Sequence, residues 1–349
     1  MIPNNHTKCP SRLMALSLSL LIALSCPHQG AAQSPKKGEP PTLHPAPIDL
    51  GLLYPLSTGG HAARTADTHF SLQLLRGVSG GLSGLAVSGL LEQIQQDAGG
   101  ALIAGMGNQV RGRAHGAQIA GLFNRLDDRA AGSAVGGLFN YTAAYQGIQI
   151  AGLMNHAGDI HGLQMAGLIN IARRVKGVQL SGLVNVADSS DYPIGLVNLI
   201  KKGSRRLVLS TDTRAHTLLG FQSGGRVLYG RLGLGYRISQ SEGAYLLEAA
   251  IGAHLYRSLQ AFRLDAEVRQ LVATDFTHGH MYTHSLRLLP AFKLGPRFQL
   301  FAGPELSLIL DYSHQRLSGE APYFWKSHGP GGHFIGGSWG AVAGLHLLL

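Results

Sequence analysis

The sequence predicts an all-β protein, and three observations lead to that class. A strand-length phrase recurs at a fixed period, side chains alternate in character with a period of two, and short polar stretches separate the alternating runs. The clearest copy of the phrase reads Gly147-Ile148-Gln149-Ile150-Ala151-Gly152-Leu153-Met154-Asn155, and it returns at residues 162–170 and 177–185. Its central glycine stands at Gly89, Gly105, Gly121, Gly137, Gly152, Gly167 and Gly182, a spacing of 16 residues that settles to 15, with a shortened echo at Gly195. A constant period of this kind marks a repeated supersecondary unit rather than an ordinary mixed core.

Ahead of the repeats, residues 1–32 read as an export signal. Lys8 and Arg12 precede an apolar run over residues 13–24, and Gly30-Ala31-Ala32 supplies a small-residue cleavage site. A lipoprotein signal is the second reading, with Cys26 as the lipid-bearing residue. The two cysteines of the chain, Cys9 and Cys26, both fall in this leader, so neither a disulfide framework nor a Cys-based zinc site is expected beyond it. Residues 33–47 contain Pro35, Pro40, Pro41, Pro45 and Pro47 together with Lys36 and Lys37, the composition of a solvated linker.

Within the repeat region, residues 48–203, each unit splits into two faces. In the unit that starts at Gly177, Val178, Leu180, Gly182, Val184 and Val186 share one face, and Gln179, Ser181, Leu183, Asn185 and Ala187 share the other. Period two over nine or ten residues specifies a strand. The polar stretches between units, such as residues 173–176 and 188–191, are short, which favours antiparallel neighbours unless the chain coils as a solenoid. Glycine at the centre of each unit marks either close approach by another backbone or relief where strands curve.

Residues 204–349 lose the repeat and keep the alternation. Leu228, Gly230, Leu232, Leu234, Tyr236 and Ile238 oppose Arg231, Gly233, Gly235 and Arg237, and Tyr245, Leu247, Ala249, Ile251, Ala253 and Leu255 oppose Glu248 and His254. The last strand places Trp339, Ala341, Ala343, Leu345, Leu347 and Leu349 on one side. Charged residues opposite a continuous apolar face, in an exported chain, are what a membrane-spanning barrel requires. Tyr141, Tyr236, Tyr256 and Tyr312 are candidates for interfacial girdles. The longest irregular segment, residues 313–337, is expected to be an outward loop.

Counting alternating segments from Ile48 gives an antiparallel outer-membrane-type β-barrel of roughly 16–18 strands, a size that encloses a channel. The alternative is a β-solenoid of repeats followed by a smaller β-barrel. In that arrangement Asn124, Asn140, Asn155, Asn170, Asn185 and Asn198 form an asparagine ladder, and Gln118, Gln149, Gln164 and Gln179 a partial second one. The recurring Leu153, Leu168 and Leu183 on the polar face fit a packed interior better than a water-filled channel.

The string from Ile48 to Gly60, the Gly-x-Gln-Φ-Ala-Gly-Leu-x-Asn units, and Ile194-Gly195-Leu196-Val197-Asn198 before Lys201-Lys202-Gly203 together resemble the surface repeat-containing proteins of Gram-negative bacteria. The resemblance covers residues 48–203. It implies an outer-membrane or cell-surface location and carries no catalytic residue with it.

Candidate chemistry is sparse. The net charge is +10, with one cluster at Lys201, Lys202, Arg205 and Arg206 suited to phosphate on a lipid headgroup, and nucleic acid is not an expected partner. His278, His280 and His284 would share a strand face that could hold a transition metal. A hydrolytic set drawn from His254, Glu248, His284 and Ser307 has no spacing that singles it out. Gly233-Leu234-Gly235 lies inside an alternating strand with no helix after it, so it fails as a nucleotide-binding loop. The expectation is therefore a non-enzymatic outer-membrane barrel, pore-forming or structural, with Gln149, Gln164, Gln179, Asn155, Asn170 and Asn185 facing inward. No catalytic, cofactor or metal residues are assigned. The expected partners are membrane lipid, lipopolysaccharide and the barrel-assembly machinery. The alternatives are a surface binding module whose stacked repeats form a ligand-facing ladder, and a lipid-modifying barrel enzyme.

Overall fold

The computed structural model describes residues 44–45, 47–237, 243–257, 262–274, 276, 280–313, 322–329 and 332–349. The expected leader, nearly all of the proline-rich linker, and His278 lie outside the described residues. Two sheets dominate the described residues, one over the repeats whose coils pair in parallel and one of antiparallel strands over the C-terminal part.

The repeats form a β-solenoid. Asn140 pairs in parallel register with Asn155, and Asn155 with Asn170, so each unit lies on the next one displaced by 15 residues. Earlier coils step by 16, as in the pairing of Asn124 with Asn140. The first of the two sequence readings, a single antiparallel barrel of roughly 16–18 strands, gives way here to the second. The physical reason lies at the corners: the segments between strands bend the chain around a coil and do not reverse it, so each strand meets its equivalent in the next unit.

Inside one coil sit Gln149, Ala151, Asn155, Ala157 and Ile160, all buried. The inward face is thus the small and polar one, and Ile148, Ile150, Leu153 and Met154 point outward. Leu153, Leu168 and Leu183, which sequence reasoning placed with the inward set, stand exposed at a corner, because the strand breaks at the glycine before each leucine. The central glycines explain themselves at that corner. A Cβ on Gly152 would lie 2.1 Å from the Gly137 carbonyl oxygen of the coil below. A second glycine column at the opposite bend has positive φ, +133° at Gly162, which side chains rarely adopt. Close backbone approach between coils is therefore the role of the central column.

The C-terminal strands are β1 (Ser204–Asp212), β2 (His216–Gly224), β3 (Leu228–Arg237), β4 (Ala244–Arg257), β5 (Phe262–Thr274), β6 (His280–Lys293), β7 (Phe298–Asp311), β8 (Tyr323–His328) and β9 (Phe334–Leu348). Each of β1 to β6 pairs antiparallel with the next, β7 pairs with β9, and β9 pairs with β1, which closes an eight-stranded barrel. The strand β8 pairs with the first part of β9, so the segment read from sequence as one long loop contains a strand of its own. Closure leaves no free edge on the long apolar strands.

Solenoid and barrel meet at a defined seam. Ser223 and Gly230 are opposite each other on β2 and β3, and both point out of the barrel. The Asn198 backbone N–H donates to the Ser223 hydroxyl at 2.9 Å, and a Cβ on Gly230 would lie 2.1 Å from the Gly195 carbonyl. Gly225, in the turn between β2 and β3, packs against Pro193 and the Ser190 carbonyl. The open edge of the last coil therefore abuts the outer wall of the barrel, close to the end where β1 begins and β9 finishes.

Candidate functional site

The solenoid interior is organised by one continuous ladder. Asn108 Nδ2 donates to Asn124 Oδ1 at 2.9 Å, and the same bond repeats through Asn140, Asn155, Asn170, Asn185 and Asn198 at 2.8 to 3.1 Å. Each amide spends its second N–H on a backbone carbonyl across the coil, such as Asn155 to Met165 at 2.6 Å and Asn170 to Leu180 at 2.6 Å. The buried N–H groups of the asparagine ladder are satisfied in this way. A shorter ladder runs in the opposite sense: Gln179 donates to Gln164 and Gln164 to Gln149, both at 3.0 Å. It ends where Pro193 takes the next place in register. Gln118 stands apart from that ladder and accepts from the Tyr145 hydroxyl at 3.5 Å. The inward Gln and Asn columns expected from sequence are thus present, and they are buried, so they are not a ligand-facing surface.

The asparagine ladder has an acceptor end. Asn108 Oδ1 has no donor, and its register neighbour in the preceding coil is Glu92, whose two carboxyl oxygens are also unpartnered. Gly77, the next place in that column, leaves the room that Glu92 fills. Burial pushes the Glu92 carboxyl up to about 8, with the Asp49 carboxylate adding to the rise and Ser88 opposing it. A neutral carboxyl carries the proton that an acceptor-ended ladder lacks.

Outside, the coils form three walls of different character. On the wall that carries Ile148 and Ile150, one column runs Ile48, Phe70, Leu85, Ala101, Ala117, Ser133, Ile148, Leu163, Val178 and Tyr192. Its neighbour runs Leu50, Leu72, Val87, Ile103, Ile119, Val135, Ile150, Met165, Leu180 and Ile194. None of these positions is buried and none is charged. The adjoining corner stacks Leu75, Leu90, Met106, Leu122, Leu138, Leu153, Leu168, Leu183 and Leu196. The second wall is polar in early coils, where Arg76 donates to Gln93 and Gln93 to Gln109, and apolar in late ones, where Ile169, Val184, Val186, Val197 and Leu199 stand. The third wall is rich in charge, with Arg113, Arg129, Asp159, Arg173, Arg174, Lys176, Asp188 and Lys202. Arg173 and Arg174 both pair with Asp159 and hold its carboxyl well below the usual carboxylate range.

Beside them, Arg173, Arg174, Asp188, Ser189, Lys201 and Lys202 line an open cleft of about 300 Å³. The basic cluster read from sequence is divided by the fold. Lys201, Lys202 and Arg205 are exposed, whereas Arg206 alternates into the barrel and is buried.

The barrel interior is filled in layers. Leu218, Leu246, Leu271, Met281 and Ile309 pack at the end away from the solenoid, and Val208, Leu289, Phe301 and Val342 near the other end. Between them Arg231 donates to Glu248 at 2.8 Å and Glu267 at 2.6 Å, Arg287 to Glu305 at 2.8 Å and Glu248 at 3.1 Å, and Arg269 to Glu305 at 2.9 Å. Three guanidiniums thus face three carboxylates in a closed network, which is how buried charge is tolerated. Arg214 reaches the same Glu305 at 2.6 Å and Ser307 at 2.9 Å.

The hydrolytic candidates do not converge. Glu248 belongs to the ion network, Ser307 bonds Ser285 and Glu305, and His254 bonds Asp265 at 2.6 Å. His284 lies on the barrel exterior, as does His280, whose ring sits against Tyr282 and Tyr312. Among the described residues no group of His, Cys, Asp or Glu is placed to hold a metal ion. The ion network is not legible in the sequence, because its directly bonded Arg and Glu partners are 17 to 39 residues apart and only the strand register brings them together. Comparison with protein-family models, with curated proteins and with solved structures gave no match to this chain.

Proposed function

We propose that the C-terminal barrel is a membrane anchor in a bacterial outer membrane, and that the protein is a non-catalytic, closed-barrel structural protein carrying the repeats on the side of its chain ends. The observation that carries this reading is the inversion of polarity across one wall: Leu219, Leu234, Leu247, Val268, Leu286 and Leu308 point out, and Arg231, Glu248, Arg269, Arg287 and Glu305 point in. An antiparallel barrel in water has the opposite need. No helix among the described residues is long and apolar enough to cross a membrane, a fact that bears on helices alone.

Aromatic rings support the same reading. Tyr236, Tyr245 and Phe276 cluster on one rim and Tyr256, Phe262 and Phe292 on the other. On β6 the rims are marked by Tyr282 and Phe292, ten residues apart. At a tilt of about 40° that run spans roughly 25 Å, the height of an outer-membrane apolar band. Tyr141, one of the four girdle candidates, instead stacks on His156 of the solenoid. Turns at the β1 and β9 end are short, as in the three residues between β2 and β3, and the segment before β8 at the other end is longer. By the usual orientation of such barrels, that longer segment would face outward and the solenoid would lie in the periplasm.

The ion network and the two apolar layers leave this barrel plugged, so the reading is an anchor and not a pore. Detergent-dependent extraction and heat-modifiable migration are expected, with no stepwise conductance when the folded chain is added to a planar bilayer. Release of the full chain from membranes by carbonate or urea without detergent defeats the anchor.

A further inference from the structure

The outer wall of the solenoid poses a separate question, because ten stacked positions per column without one charge form an apolar strip about 43 Å long, at about 4.8 Å per coil. Monomeric soluble proteins rarely leave an apolar patch of that size in water, and larger ones mark interaction surfaces. Its shape narrows what covers it: the strip continues round the leucine corner and, in the coils nearer the barrel, onto the second wall, so that it is there a convex wedge and not a flat face. One flat partner would leave half of it exposed, whereas a fluid apolar medium covers both sides.

The seam with the barrel fixes where the wedge points. The corner carbonyls of Gly195 and Leu196 lie against Gly230, which is higher on the barrel wall than the turn glycine Gly225 that meets Ser190 and Pro193. The coil edge abuts the exterior of β2 and β3, so the solenoid leads sideways from the barrel and not down its axis. Just above the seam stand the outward Phe221, Leu219, Leu232 and Leu234 of the barrel. The second solenoid wall also turns apolar in the coils that approach the barrel. Lys201, Lys202 and Arg205 are exposed at the same base, where lipid phosphates would lie.

We infer that the solenoid lies along the membrane, with its leucine corner and apolar wall in the acyl layer of the leaflet on the chain-end side and its charged wall in water. The repeats would then be a monotopic lipid-binding body, amphipathic across the section of a coil as interfacial helices are across a helix. This inference rests on the barrel spanning the bilayer.

The test uses full-length protein with Cys9→Ser and Cys26→Ser, so that single engineered cysteines carry the only fluorophore. Ile119→Cys and Leu153→Cys report the wedge, His161→Cys and Lys176→Cys the charged wall, and Leu234→Cys and Leu286→Cys the barrel belt. Protein is reconstituted in phosphatidylcholine and phosphatidylglycerol vesicles, and quenching by brominated acyl chains is compared with quenching by aqueous iodide. Wedge and belt sites are expected to lose most of their emission to brominated lipid, and charged-wall sites to iodide. Iodide quenching at the wedge with lipid quenching at the belt overturns the inference and leaves the anchor standing. Protection of the wedge from both quenchers also overturns it, since protein, such as a second copy, then covers the strip. Absence of lipid quenching at the belt removes the anchor and this inference together.

Discussion

Asn155 illustrates how much one side chain can hold. It accepts from Asn140, donates to Asn170 and donates to the Met165 carbonyl, so Asn155→Ala strands groups in three neighbouring segments. Each stranded buried group costs on the order of 1–3 kcal/mol, and a loss of about 4 kcal/mol is expected in the repeats. Hydrogen exchange over residues 140–170 is the measurement, and protection equal to wild type refutes the ladder as a source of stability. Glu92 makes the complementary prediction for pH. Its unfolded carboxyl ionises near 4.5, and the folded one keeps its proton to about 8. In that window the unfolded chain binds fewer protons, so stability falls as pH rises from about 4.5 to 8 and is level above it. The loss by pH 7 is about 3 kcal/mol. Glu92→Gln keeps a donor for Asn108 and cannot ionise, so its stability is expected to be flat across that range in chemical denaturation. Parallel slopes for the two proteins would exclude this carboxyl as the cause.

At the scale of the strand, sequence and structure agree on faces and part company on partners. The inward Gln, Ala and Asn of the repeats and the inward Arg231 and Glu248 of the barrel were legible, because alternation depends only on neighbours two residues apart. Whether neighbouring strands run parallel or antiparallel was not, since both give the same alternation. The signal that distinguishes them is identity in register: a parallel stack places asparagine on asparagine, and only there does the repeated letter gain a hydrogen bond. Leu153 was misplaced for a related reason, as strict alternation through Gly152 assumes a straight strand where the chain turns a corner. Inside the barrel, Glu305 shows what only register can supply, since it accepts from Arg214, Arg269, Arg287, Ser285 and Ser307. Glu305→Ala leaves these guanidiniums without their carboxylate, at an expected cost of about 3–5 kcal/mol. Conversion of the compact, fast-migrating form on unheated gels should shift to clearly lower temperature, and an unchanged transition would show that the network contributes little.

The whole molecule joins two ways of closing a sheet. One coils on itself with the next unit as its partner, and the other bends round until its last strand meets its first. The change from one to the other falls between Ile200, where the last strand of the coils ends, and Ser204, where β1 begins. The seam was invisible beforehand, because Ser223 and Gly230 look like ordinary outward positions until the last coil is placed on them. Small residues there, in strands otherwise lined outside by leucine and phenylalanine, are the trace that docking leaves.

Stacking in strict register has a consequence for growth. Because residues 147–161 hand the chain on at a position equivalent to where they received it, removal of that whole stretch joins Gln146 to Gly162 with every column intact. Such a shortened protein is expected to fold with near-native circular dichroism and to be shorter by one step of about 4.8 Å. Removal of 14 residues instead would rotate Asn and Gln out of their columns and should collapse the repeats. Length in this protein is therefore a quantity that duplication can adjust in fixed increments, as links are added to a chain, without any need to reinvent the ends.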